Sequence, residues 1–184
     1  MFHNIYTRVP KGRKTWGMLS IAALSAGGVL GLGANAASAE QISGYTIMVS
    51  ASSWLNVAVS EGSTAIGAPI IQWYADSGAE QEWNVPAEES TGQIVNQNSG
   101  MCVTTDGVAG DQLFQEPCSP PGFGWYNNQQ WYNDFQSFGP SIFENPQSGL
   151  VMDVYGYSFG AGAAIDAWYP NQQINQGFWN ATGN

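Results

Sequence analysis

The chain is expected to be an all-β fold made of three copies of one unit. A short closing signal occurs three times, as Gln81-Glu82-Trp83, Gln129-Gln130-Trp131 and Gln176-Gly177-Phe178, and its glutamines lie 48 and 47 residues apart. A fixed period of this length that fills the chain is the mark of a repeat architecture. Between the signals run short apolar pieces separated by Gly, Ser, Pro and Asn, with no sustained helical period, and this is the pattern of many short strands joined by turns.

The first 39 residues stand apart. Arg8, Lys11, Arg13 and Lys14 make a basic start, Met18 to Gly33 is an apolar run, and Ala37-Ser38-Ala39 offers small residues before Glu40. Basic, apolar, small-x-small is the secretory signal pattern, so residues 1–39 are expected to be a signal peptide and the protein to be secreted. The apolar run is short for a membrane span of ~20 residues, so no membrane insertion is expected. Residues 40–184 suit one domain, with repeats at about 44–90, 91–138 and 139–184.

The charge divides at the same place. All four Lys and Arg residues and the single His precede Ala39, whereas all 14 Asp and Glu residues lie from Glu40 onward. A surface without cations cannot replace phosphate counterions, so nucleic acid and anionic membranes are poor partners. Without a His or Lys there is no Ser-His-Asp or Cys-His arrangement and no Schiff-base lysine. No zinc spacing or calcium-loop pattern occurs, and no metal or other cofactor is expected. The two cysteines, Cys102 and Cys118, fall in the middle repeat of an exported chain, where a disulfide is the expected state.

The elements of each repeat follow in order. The opening strands are Tyr45 to Val49, Gly92 to Val95 and Ser141 to Phe143. A Ser-Gly turn at 99–100 and 148–149 leads to a second piece, read as Leu55-Asn56-Val57, Val103-Thr104-Thr105 and Met152-Asp153-Val154. A Gly-rich turn leads to a third, Ile70 to Trp73, Gln112 to Phe114 and Ala164 to Trp168. The glutamine signal then closes the unit. From the polar centres Asn56, Thr104 and Asp153 to that glutamine the separations are 25, 25 and 23 residues.

The triple Gln-x-Trp signal, the Met152-Asp153-Val154 strand and the placement of Cys102 and Cys118 resemble the ricin B-type lectins. The resemblance covers roughly Gly44 to Asn184. It implies a β-trefoil, three four-stranded repeats about a pseudo-threefold axis, and a function in binding glycans. It also implies that Trp83, Trp131 and Phe178 are core residues. A sugar site in this family takes an Asp from the second strand, an aromatic residue from the third, and an Asn before the closing Gln. A carboxylate accepts from two hydroxyls, an amide both donates and accepts, and an aromatic face packs on the C–H side of a pyranose.

The third repeat has the whole set, in Asp153, Trp168, Asn175 and Gln176, with Asp166 two residues before the aromatic. The first repeat keeps Trp73 and Gln81, with Asn56 read at the acceptor position and Glu80 in place of Asn. The second has Thr104 and Glu116 in the acceptor and aromatic places and is read as structural. The expected function is that of a carbohydrate-binding module without a catalytic domain, recognising galactose-type or xylan-type glycans or polysaccharides. Its oligomeric state is not fixed by the sequence. Two other readings stay open: a trefoil scaffold that binds or inhibits a protein, using the stretch from Pro117 to Trp131, and a glycosidase working through carboxylates alone.

Overall fold

The computed structural model describes residues 44–136 and 139–182, which lie within one compact unit, Ala37–Asn184. The expected signal peptide lies outside the described residues. The first repeat gives β1 (Thr46–Ser50), β2 (Asn56–Val59), β3 (Ile70–Trp73) and β4 (Glu82–Asn84). The second gives β5 (Thr91–Gly92), β6 (Val95–Asn96), β7 (Cys102–Thr104), β8 (Phe114–Glu116) and β9 (Trp131–Asp134). The third gives β10 (Ile142–Asn145), β11 (Leu150–Val154), β12 (Ile165–Trp168) and β13 (Phe178–Thr182).

The outer strands of the repeats form a closed ring. β1 pairs with both β13 and β4, β4 with β6, β5 with β9, and β9 with β10. A bridge between Ser141, just before β10, and Phe178 of β13 closes the ring within the third repeat. Closure removes exposed sheet edges, which would otherwise recruit other chains. The inner hairpins β2–β3, β7–β8 and β11–β12 cover one end of this ring. They touch through the bridges Pro69–Phe114, Ile71–Ala164 and Gln112–Asp166. This is a β-trefoil.

Four positions per repeat fill its centre. Met48, Ile94 and Phe143 come from the opening strands, Val57, Val103 and Met152 from the next, Ile70, Leu113 and Ile165 from the third, and Trp83, Trp131 and Phe178 from the last. All are buried, as expected for the closing aromatics. The indole N–H groups are satisfied as well: Trp83 Nε1 donates to the Val57 carbonyl and Trp131 Nε1 to the Val103 carbonyl, both at 3.0 Å. A buried Trp needs such a partner, because an unpaired indole donor carries a desolvation cost.

Some strand limits differ from expectation. The opening strand of the second repeat is broken at Gln93-Ile94 into β5 and β6. The third strand of that repeat is Phe114–Glu116, and Gln112, expected to open it, instead bridges to Asp166 of the neighbouring hairpin. Leu55 precedes β2 rather than opening it. Gln112 is drawn out of the local ladder by its bridge to the third repeat, and periodicity within one repeat does not carry that information.

Cys102 and Cys118 are joined by a disulfide. It ties β7 to the loop after β8, inside the middle repeat. A Cys102→Ser/Cys118→Ser double variant should keep the trefoil and lose about 3 kcal/mol of stability, the loop-closure entropy of a short loop. A urea titration followed by Trp fluorescence measures this as a lowered midpoint.

Candidate functional site

Three short helical turns, Ala79–Gln81, Tyr126–Gln129 and Ile174–Gln176, end on the closing glutamines. The three amides do the same work. Gln81 Nε2 donates to the Tyr74 carbonyl and its Oε1 accepts from the Asp76 N–H, at 2.8 and 3.4 Å. Gln129 does this with Pro117 and Ser119, at 3.1 and 2.8 Å. Gln176 does it with Tyr169 and Asn171, at 3.0 and 2.9 Å. Each side chain therefore clamps the loop that leaves the third strand of its repeat. All three are buried, so Gln81 and Gln176, expected to touch ligand, are placed behind the site as positioning residues.

The sheet register sets which residues are equivalent. Gln72 lies opposite Val57, Gln115 opposite Val103, and Ala167 opposite Met152. One step further along, Ala58, Thr104 and Asp153 share a position, paired with Ile71, Phe114 and Asp166. Trp73, Glu116 and Trp168 share the position at the strand end. The sequence spacing had put Asn56 in the place of Asp153, and the register corrects this: Asn56 sits two residues earlier, opposite Trp73. Its amide donates to Gln81 Oε1 at 2.7 Å, and it is buried. The separations to the closing glutamine are 23, 25 and 23 residues, and the two extra residues fall in the second repeat. Side chains two apart on a strand share a face, so Asn56 and Ala58 point the same way and only the pairing tells them apart.

In the third repeat the expected residues come together. Asp153, Asp166, Trp168 and Asn175 line a cavity of about 380 Å³, with Tyr155, Tyr157, Asn171 and Gln173 also lining it. Asn175 Nδ2 donates to both carboxylate oxygens of Asp153 at 2.9 Å, and Gln176 Nε2 donates to Oδ2 at 2.8 Å. Asp153 is thus held by two amides in one orientation. Trp168 is 42 % exposed and meets the Tyr169 ring edge-on, with centroids 5.8 Å apart. A Cβ added at Gly110, a left-handed residue of the preceding repeat, would lie 3.2 Å from Trp168 Cζ3. Only a glycine gives the indole this seat without strain.

Tyr155, Tyr157, Asn171 and Gln173 were not picked out from the sequence. The first two belong to the turn Tyr155–Tyr157, which starts at the residue after β11. The signal was their place immediately after Asp153-Val154. The other two lie in the loop clamped by Gln176.

The first repeat has an equivalent cavity of about 520 Å³ with different chemistry. Trp73 is again 42 % exposed, with Tyr74 edge-on at 5.9 Å. Its floor is apolar, Ala58 and Ile71, and Glu61, Asp76 and Glu80 stand around it. A Cβ at Gly162 would come within 3.5 Å of the Trp73 ring, repeating the seat of Trp168. In the second repeat Thr104 Oγ1 accepts from Gln129 Nε2 at 3.1 Å, and Glu116 replaces the aromatic. No group of three or more His, Cys, Asp or Glu residues is placed to hold a metal ion among the described residues.

The third-repeat cavity has an unusual charge arrangement. Asp153 and Asp166 are paired across β11 and β12 and are only 4 and 2 % exposed. Burial raises the Asp153 carboxyl above its usual range, against the pull of the Gln176 and Asn175 hydrogen bonds. Burial, and then the Asp153 charge opposite, push Asp166 up to about 7, offset in part by its own backbone N–H. Like charges on adjacent buried sites disfavour double ionisation.

Residues 79–168 match the family model described as ricin-type beta-trefoil lectin domain-like. Over those 90 residues the chain is similar to the ricin-type lectin domains. Among solved structures, a designed threefold symmetric protein, ThreeFoil, is 23% identical with a TM-score of 0.66, over 74% of this chain and 97% of that one. The earthworm R-type lectin C-half, solved in complex with GalNAc, is 19% identical with a TM-score of 0.60, over 76% of this chain and 98% of that one. An exo-beta-1,3-galactanase from Clostridium thermocellum is 23% identical with a TM-score of 0.66; the match covers 76% of this chain and 30% of the galactanase. At these identities the likeness is one of fold. No curated protein matches the chain.

Asp166 supplies a stability test. Its folded-state pKa is raised, so its contribution is most favourable below the unfolded carboxylate pKa and is lost as pH rises to about 7. Asp166→Asn removes that loss. The variant should gain roughly 1–4 kcal/mol over wild type above neutral pH and nothing in acid, read as diverging thermal midpoints across the pH series.

Proposed function

We propose that this ricin B-type trefoil is a secreted carbohydrate-binding module that holds glycans without turning them over, with its principal site in the third repeat. The observation that carries the reading is the cavity where an amide-held carboxylate, Asp153, faces a half-exposed indole, Trp168. A carboxylate fixed by two amides is preorganised to accept bonds from sugar hydroxyls, and the indole face takes the C–H side of the ring. Asn175 holds the carboxylate and lines the cavity, and its own side-chain carbonyl oxygen is unpaired.

The relatives support glycan binding as a class. One is an R-type lectin solved with GalNAc, and another is an agglutinin from Rhizoctonia solani. Galactose-type and xylan-type ligands are the first to test. The first repeat, with Trp73 over an apolar floor, is proposed as a weaker second contact that raises avidity on a polymer. A glycosidase needs two carboxyl groups flanking the scissile bond. Asp153 and Asp166 instead lie side by side on one floor, which favours binding without hydrolysis.

A glycan array and an insoluble-polysaccharide pull-down test the reading. Trp168→Ala and Asp153→Ala should each lower affinity at least about tenfold with the trefoil intact by circular dichroism, and Trp73→Ala should weaken polymer binding more than monosaccharide binding. A folded wild type that binds no glycan overturns the proposal. Export is proposed from the basic, apolar and small-residue order of residues 1–39. N-terminal sequencing of protein recovered from culture medium should begin at Glu40; retention with Met1 in place counts against it.

A further inference from the structure

The floor of the third-repeat cavity accepts hydrogen bonds and offers none. Asn175 Nδ2 is spent on both Asp153 oxygens and on the Val154 carbonyl, at 2.9, 2.9 and 3.3 Å. Asn175 Oδ1 and Asp166 Oδ1 are buried and have no partner. Both residues are more than nine-tenths buried and line the cavity. Buried polar atoms left unpaired are costly, and a group of them on the wall of one cavity calls for a ligand that satisfies them together.

The charge points the same way. Two carboxyl groups face each other across β11 and β12, and the described residues include no Lys, Arg or His to balance them. Tyr155 and Tyr157, from the turn after β11, are the other titratable groups on the cavity, and Asp111 sits in the loop of the second repeat that pairs with Ala167. None supplies a positive charge. A neutral hydroxyl brings a donor but also lone pairs that must face the carboxylates. A protonated amine brings three donors, no acceptor and the missing charge. Trp168 adds an aromatic face, which attracts a cation as well as a sugar ring.

Resting on the glycan-binding reading above, we infer that the preferred ligand of the third repeat is a sugar with a free, protonated amino group. The amine binds between Asp153, Asp166 and Asn175 Oδ1 while the ring stacks on Trp168. A polymer of such units is the natural target, because all 14 acidic residues lie from Glu40 onward and attract a polycation over the whole surface. An ammonium beside Asp166 also favours its ionised form.

Isothermal titration of the full-length protein with galactosamine, N-acetylgalactosamine and galactose, and with the matching glucosamine series, tests this. Chitosan and chitin serve as the polymer pair. The free-amine sugars should bind at least about tenfold tighter than their acetylated partners and weaken with added salt. Asp166→Asn should erase most of the preference while keeping the stacking-dependent part. Equal or tighter binding of the acetylated or neutral sugars overturns the inference and leaves the lectin reading standing. Binding to no sugar overturns both. A Lys-rich peptide that binds as tightly as chitosan and displaces it, or binding that requires added calcium, also overturns the inference.

Discussion

The closing glutamine is the constraint on which the rest of this trefoil depends. Each amide holds the loop that follows the third strand of its repeat, through one donated and one accepted backbone bond. That loop sets the direction of the exposed aromatic just before it. In the third repeat the same amide also fixes Asp153. One buried side chain thereby couples the shape of the fold to the chemistry of the surface. The cost of burying an amide is offset because every polar atom of Gln176 is paired.

The repeat architecture was legible because it rests on a local signal copied three times. Trp83, Trp131 and Phe178 announce the core, and Asp153, Trp168, Asn175 and Asp166 announce the cavity they share. Register was less legible. Asn56 and Ala58 lie on the same strand face, and only the pairing with Trp73 and Ile71 distinguishes them. The mouth of the cavity was missed for a related reason: Tyr155, Tyr157, Asn171 and Gln173 sit in turns with no periodic signature. Their positions come from strand ends and from the glutamine clamp. Where β8 begins is set by bridges to the neighbouring repeats, and a single repeat carries no trace of them.

The two equivalent cavities show how the frame tolerates divergence. The same indole, the same edge-on tyrosine and the same clamp recur in the first and third repeats. The floors differ, Ala58 and Ile71 in one and Asp153 and Asp166 in the other. Floor residues are partnered across one hairpin, so changing them leaves the ring of outer strands untouched. The acidic floor carries a price in stability at neutral pH, which fits a site kept for what it binds rather than for what it adds to the core.

The seats of the two indoles carry a consequence for how such a molecule can arise. Trp168 rests on Gly110, from the second repeat, and Trp73 rests on Gly162, from the third. Each platform is thus completed by a repeat other than its own. The smallest unit able to present a binding face is therefore not the repeat but two repeats in contact around the ring. A lone copy of about 45 residues would have the aromatic residue and no surface to aim it, so recognition in this architecture begins only with assembly.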